Sequence, residues 1–194
     1  MLKHNIISSY PKEYFDLYSE FKNGGTIREW GNYVERELSK FTDDDVKNKF
    51  RGDMLEVLAE IFFNVFHADE GIGIKDYTPI EITEDYGVDA TGINVNGHNI
   101  AMQVKYRANP FDLITYADMA RTYTSALCQL QMKDVYLHDH TLYLFTISNG
   151  VTGACEKVLG RKLIIINRGI ISTKIDNNVN FWSESYNMIF EKLS

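Results

Sequence analysis

The stretch Gly87-Val88-Asp89-Ala90-Thr91-Gly92-Ile93-Asn94-Val95-Asn96-Gly97-His98-Asn99-Ile100-Ala101-Met102-Gln103-Val104-Lys105 decides how the chain is read. Two runs of strand composition flank Asn96-Gly97, the dipeptide of a tight hairpin. In the second run Ile100, Met102 and Val104 point one way while Ala101, Gln103 and Lys105 point the other. Gln103 and Lys105 therefore share a face, a pattern that is usually the wet side of a half-buried sheet. Asp89 offers a sharper test. With a two-residue turn at Asn96-Gly97, Val95 pairs with His98 and Asp89 falls opposite Val104, on the wrong face. A three-residue loop or a single bulge moves the register by one and sets Asp89 across from Gln103 or Lys105. The latter register is the one expected.

Working outward, Ile72 to Tyr106 reads as a meander whose first strand holds Ile80-Glu81-Ile82, with a turn at Glu84-Asp85. Upstream, aromatic residues (Tyr10, Tyr14, Phe15, Tyr18, Phe21, Trp30, Tyr33, Phe41) alternate with charges around Asn23-Gly24-Gly25, which predicts two amphipathic helices and a loop. Thr42-Asp43-Asp44-Asp45 has the chemistry of a helix start, a capping side chain followed by acids in the first turn. The helix it opens should run through Phe66, with Gly52 as a point of interruption. Downstream the pattern predicts a helix over 112–133, a buried strand over 142–147, a short helix over 151–159, a strand over 162–167 and a last helix over 182–192. Strand, crossover helix and strand imply parallel pairing at that end.

On the long helix, Leu55, Val57, Leu58, Ala59, Ile61, Phe62, Phe63, Val65 and Phe66 fill most of the circumference, so burial on several sides is expected. One narrow sector holds Asp53, Glu56, Glu60 and Asn64 at spacings of three and four. It is either a solvated stripe or a carboxylate edge facing a cleft.

Composition bounds the function. The 194 residues carry 20 Lys+Arg against 27 Asp+Glu, a net charge of −7, with 44% apolar residues. These are ordinary globular values that exclude a disordered chain, and no apolar run approaches the ~20 residues of a membrane helix. The start Met1-Leu2-Lys3-His4-Asn5 lacks signal-peptide features, and Cys128 and Cys155 stand alone, so a reducing cytoplasm is the expected compartment. An acidic total repels DNA at long range, so contact with nucleic acid requires a local basic patch or bound cations.

Glu56, Asp89 and Gln103-Val104-Lys105, in the order helix acid, strand acid, strand Q-x-K, resemble the PD-(D/E)XK nuclease superfamily, specifically its Mrr-like restriction endonuclease branch. Gly52-Asp53-Met54-Leu55-Glu56 is similar to that branch's G-x-x-[FL]-E and Gly87-Val88-Asp89 to its G-V-D. The run Leu144 to Ala154 is similar to its strand, turn and helix, and Leu163-Ile164-Ile165-Ile166-Asn167 to its closing strand. The likeness spans about residues 50–175. Two departures stand out: no proline precedes Asp89, and Gln103 replaces the second acid.

The resemblance implies an α/β, restriction-endonuclease-like core, a central mixed sheet flanked by helices, over 50–194, with a helical extension over 1–49. It implies a metal-dependent DNA endonuclease whose metal-activated water hydrolyses a phosphodiester. Mg²⁺, with Mn²⁺ as substitute, would be held by Asp89, the Gln103 amide oxygen, the Val104 carbonyl and Glu56, because hard cations take oxygen donors. Lys105 would orient the water and neutralise developing charge; the catalytic set is Asp89, Gln103, Lys105 and Glu56. Glu60 is expected to face solvent rather than support the site. Alternatives are a structure-selective nuclease similar to junction resolvases, and a non-catalytic DNA- or protein-binding module on the same fold. The N-terminal helices are expected to pack on the core, with DNA, a protein partner or a second copy as other occupants; a homodimer and a bacterial, phage or mobile-element source fit the resemblance.

Tyr136-Leu137-His138-Asp139-His140 could bind a transition metal but reads better as a turn, and His98 as a hairpin-tip residue. Arg107, Arg121, Lys133, Arg161, Lys162 and Arg168 are phosphate-contact candidates against a default of solvated charge. Gly150-Val151-Thr152-Gly153 lacks the lysine and spacing of a phosphate loop.

Overall fold

The structure is a computed structural model that describes residues 12–67, 69–80 and 87–193. After a short 3₁₀ turn, helices α1 (Asp16–Phe21) and α2 (Ile27–Leu38) lead into α3 (Asp44–Val65). Strands β1 (Ile74–Pro79), β2 (Ala90–Asn94) and β3 (Asn99–Lys105) precede α4 (Tyr116–Cys128) and α5 (Lys133–Leu137). Then come β4 (Leu142–Thr146), α6 (Gly153–Leu159), β5 (Leu163–Ile166), α7 (Arg168–Asp176) and α8 (Phe181–Leu193). The five strands form one sheet in chain order, antiparallel across β1, β2 and β3 and parallel across β3, β4 and β5. The α/β class with a central mixed sheet flanked by helices is thus as expected.

Helix α3 is the hub. The Asp43 carboxylate accepts the Asp45 and Val46 N–H groups, and Asp44 and Asp45 sit where the helix dipole favours anions. Met54, Leu55, Val57, Leu58, Ala59, Ile61 and Phe62 are fully buried, because α3 has β1 and β3 on one side and α2 and α8 on others. The N-terminal helices join this core through Leu17, Tyr18, Trp30 and Val34. A second apolar layer, built from Met119, Ala126, Leu142, Leu144 and Cys155, covers the opposite face of the sheet.

The hairpin follows the shifted register. Asn94 pairs with His98, the Gly97 N–H donates to the Asn94 carbonyl at 2.9 Å, and Gly97 takes a φ of 84°. The loop is therefore Val95 to Gly97, a three-residue connection ending on a left-handed glycine. The buried Asn94 side chain locks it by accepting the Asn96 and His98 N–H groups, each at 3.0 Å. Ala90 consequently pairs with Met102, and the Asp89 N–H continues the ladder to the Met102 carbonyl at 2.9 Å.

Several boundaries differ from expectation. The meander's first strand is Ile74–Pro79; Ile80 follows it, while Glu81, Ile82 and the Glu84-Asp85 turn lie outside the described residues. Gly52 does not interrupt α3, since backbone hydrogen bonding tolerates a mid-helix glycine at modest cost. The helix expected over 112–133 begins at Tyr116 under a Thr115–Asp118 capping box and ends before Gln131, whose φ of 52° breaks the ladder and sets off α5. Helix α7 was not foreseen: its mixed polar and apolar residues give weak periodicity, and the signal that could have revealed it is the Asn167 side chain, which caps Ile170 N–H at 3.1 Å.

Two glycines should respond oppositely to alanine. A Cβ on Gly92 would lie 2.0 Å from the Asp76 carbonyl oxygen across the bulged β1–β2 pair, whereas one on Gly52 meets no heavy atom within 4 Å. Gly92→Ala should cost about 2 kcal/mol or more, and Gly52→Ala should gain roughly 0.5–1 kcal/mol, both read from urea unfolding.

Candidate active site

Residues from three elements meet at the open end of the β2–β3 pair. Asp89 precedes β2, Gln103 and Val104 lie on β3, and Thr122 lies on α4. The Val104 N–H donates to Asp89 Oδ2 at 2.6 Å, and the Gln103 amide nitrogen donates to the same oxygen. That nitrogen also approaches the Val104 carbonyl at 3.3 Å, while the Gln103 amide oxygen accepts the Thr122 hydroxyl at 2.5 Å. Thr122 is fully buried. Register explains the meeting: directly opposite residues of an antiparallel pair share a face, and continuation of the Ala90–Met102 pairing puts Asp89 across from Gln103.

Met102 and Val104 enter the core shared with α3, so the alternating Gln103 and Lys105 face the α4 layer. Lys105 lies opposite Thr146 on β4, whose hydroxyl donates to the Lys105 carbonyl at 2.6 Å. Glu56 is half-buried on α3, on the Met102 and Val104 side of the sheet. The carboxylates of Glu56 and Asp89 both act on the Tyr77 hydroxyl: burial first, then Glu60, Glu56 and Asp89, holds this phenol well above its usual range. Direct hydrogen bonds therefore join Asp89, Gln103 and Val104, a shared electrostatic neighbourhood links Asp89 to Glu56, and Lys105 sits two residues along on Gln103's face.

The polar sector of α3 is not a solvated stripe. Glu60, expected to face water, is fully buried, and Asp53 is 7% exposed. Tyr14 reaches Asp53 at 3.5 Å, and Tyr18 of α1 and Tyr77 of β1 lie within electrostatic reach of Glu60, tertiary neighbours that helical periodicity does not reveal. Burial raises the Asp53 carboxyl above its ordinary value against the opposing pull of Lys49, whose ammonium lies 2.7 Å away.

Among the described residues no three His, Cys, Asp or Glu side chains lie close enough to share a metal ion. The oxygen donors around Asp89 are instead its own carboxylate and the Val104 carbonyl, with the Gln103 amide oxygen turned to Thr122; once the amide is turned over, the three are oxygens of the kind a hard cation takes. The Gln103 amide nitrogen already stands beside two of these oxygens. The residues present thus fit a divalent ion in donor type.

Helix α4 braces this end of the sheet through residues that were not singled out as a set. Thr122 holds Gln103, and the Arg121 stem packs so tightly on Gly87 that a Cβ there would lie 2.6 Å from Arg121 Cγ. Asp118 pairs with Arg107 at 2.8 Å. The spacing 118, 121, 122 marks one helix face and was the available signal, masked by the apolar positions used to place the helix. The two histidine readings resolve differently: His98 stacks on His138 with centroids 3.8 Å apart and planes within 6°, so the rings present faces, not converging nitrogens, to each other.

No family model matches the chain, and no curated protein matches it. A solved structure of an EndoMS–dsDNA2 complex matches with a TM-score of 0.33 and 11% identity, over 56% of this chain. The matched part spans 43% of that protein's length.

The Asp118 carboxyl lies below its ordinary value: burial pushes it up, but the Thr115 N–H, Arg107 and the Thr115 hydroxyl outweigh it. A depressed carboxylate stabilises the fold above its unfolded pKa, and this contribution is lost as pH falls through the folded value. Asp118→Asn should cost about 1 kcal/mol near neutrality, and the gap to the unsubstituted protein should close on acidification, as measured by thermal melting across pH.

Proposed function

We propose that the chain is a divalent-metal-dependent DNA endonuclease of the Mrr-like kind. The observation that carries this reading is the contact of Asp89 with Gln103 and the Val104 N–H, with Lys105 on the same face of β3. In this reading Asp89, the Val104 carbonyl and the Gln103 amide oxygen hold Mg²⁺ or Mn²⁺, and Glu56 adds negative charge from α3. When bound, the ion supplies Lewis-acid stabilisation of the phosphate and helps ionise a water.

The protein's own part follows from its side chains. The Val104 N–H fixes one Asp89 oxygen, which orients the carboxylate. To present its oxygen beside Asp89, the Gln103 amide must turn over, which brings its nitrogen to Thr122. A hydroxyl can donate or accept, so Thr122 serves both orientations and the exchange loses no hydrogen bond at that end, while the Gln103 N–H groups facing Asp89 and the Val104 carbonyl give way to the cation. Lys105, a compact ammonium that does not compete for the cation, holds the attacking water and offsets charge that builds on the phosphate oxygens.

A non-catalytic module on the same fold is the second reading, favoured by one feature: the Gln103 amide nitrogen already satisfies both Asp89 and Val104 without a cation. Incubation with supercoiled, linear and branched DNA plus Mg²⁺ or Mn²⁺ separates the two. Nuclease activity should fall by roughly 100-fold or more in Asp89→Asn and in Lys105→Ala, with preference for branched DNA marking a structure-selective enzyme. Absence of cleavage in every format, or full cleavage by Lys105→Ala, would overturn the nuclease reading. Thr122→Val should weaken Mn²⁺ binding, measured by calorimetry in the absence of DNA, while Thr122→Ser retains it; equal affinity in all three proteins would exclude the positioning role of Thr122.

A further inference from the structure

A cavity of about 200 Å³ opens between α2, the segment after β3, and the start of α7. Arg28, Arg107 and Arg168 all line it, along with Trp30, Glu35 and Tyr106. In a chain of net charge −7, three arginines at one small opening are a local reversal of sign.

Their charges are not cancelled evenly. Arg107 is paired with Asp118 at 2.8 Å. The one carboxylate in the lining, Glu35, is occupied elsewhere: Arg51 donates to it at 3.0 and 3.2 Å and the Tyr106 hydroxyl at 2.8 Å. Among the described residues Arg28 and Arg168 make no ion pair. Both also stand in the first turns of their helices, Arg28 in α2 and Arg168 in α7, where the positive end of the dipole disfavours a cation. The start of α2 is already met by the Glu29 and Asp176 carboxylates, but neither guanidinium has an ion-pair partner of its own among the described residues, and two such groups facing one cavity call for an anion from outside.

Position and size indicate which anion. Ligands of open α/β sheets sit beyond the carboxyl ends of the strands, and this cavity lies just past β3 and β4, lined by Tyr106, Arg107 and Ile147. At about 3.3 Å per extended residue, it begins within roughly 10 Å of Lys105. Its volume is below the ~300–1,000 Å³ of a pocket enclosing a drug-sized ligand, so it suits a phosphate group with its water better than a whole nucleotide. Guanidinium groups match phosphate oxygens in planar two-point contacts. Beside it, Pro110 leads to Phe111, which is 77% exposed, an aromatic surface of the kind on which unpaired bases stack.

We propose that this cavity is a binding site for a backbone phosphate of a DNA strand next to the one placed at Asp89 and Lys105, with Arg28 and Arg168 as its anchors. The proposal rests on the reading that the chain acts on DNA. It makes the cavity a positioning device that reads no sequence, since phosphate contacts fix register without carrying base identity.

The test is DNA binding in EDTA, so that cleavage and binding are read separately, using fluorescence anisotropy of a labelled duplex and a labelled single strand over a range of salt. R28Q/R168Q should bind both roughly tenfold or more weakly, with the slope of log affinity against log salt reduced by about 2, one for each lost phosphate contact. K75Q, at an exposed lysine on β1, should bind as the unsubstituted protein does, and F111A should weaken the single strand more than the duplex. Unchanged affinity and slope in R28Q/R168Q, with its melting temperature intact and cleavage by the unsubstituted protein present, would overturn the site and leave the nuclease reading standing. Arginine-dependent binding without cleavage in Mg²⁺ would do the reverse. Binding of inorganic phosphate or a mononucleotide as tight as that of DNA would replace the strand with a small anion.

Discussion

One hydrogen-bonded turn governs the chemistry of this molecule. Because the loop between β2 and β3 has three residues and ends on Gly97, Asn94 pairs with His98 and Asp89 comes to lie across from Gln103. Side chains alternate with a period of two, so a slip of one residue would turn Asp89 toward the Met102 and Val104 side and leave Gln103 and Lys105 without a carboxylate. The buried Asn94 side chain, accepting two N–H groups of the loop and donating to the His140 carbonyl, holds this register against the two-residue alternative.

Around that register the two layers of the protein have different tasks. Helix α3 buries nine apolar residues and yet carries Asp53 and Glu60 into the interior. Burying carboxylates costs free energy unless charges and donors compensate: Asp53 is met by the Lys49 ammonium at 2.7 Å, while Glu60 lies within electrostatic reach of Tyr77 and Tyr18. Helix α4 does the fine placement on the other face: Thr122 for the Gln103 amide, Arg121 for the Gly87 turn, Asp118 for Arg107. Arg28, Arg107 and Arg168 gather at one cavity beyond β3, with Arg107 already paired to Asp118.

Much of this was legible in the residues. Helix α3 announced its N-terminus through Asp43 and its burial through an almost continuous apolar circumference. The hairpin and its shifted register were readable because face alternation is strictly periodic, so only one class of loop could put Asp89 with Gln103. Less was legible where periodicity is weak or where a local device intervenes: α5 splits from α4 at a left-handed Gln131, and α7 depends on a cap at Asn167 rather than on an apolar stripe.

By itself, the sequence determined the α/β class, the polar residues that alternate against the pattern and the order in which they follow one another, since those are properties of neighbours along the chain. Tertiary structure alone decided which of them meet. That Glu60 is buried, that Thr122 holds Gln103, and that Arg28, Arg107 and Arg168 share one cavity are all relations between residues far apart in sequence. No local preference encodes them; they arise when α2, α4 and α7 close on a sheet whose twist and crossovers fix where each helix must lie.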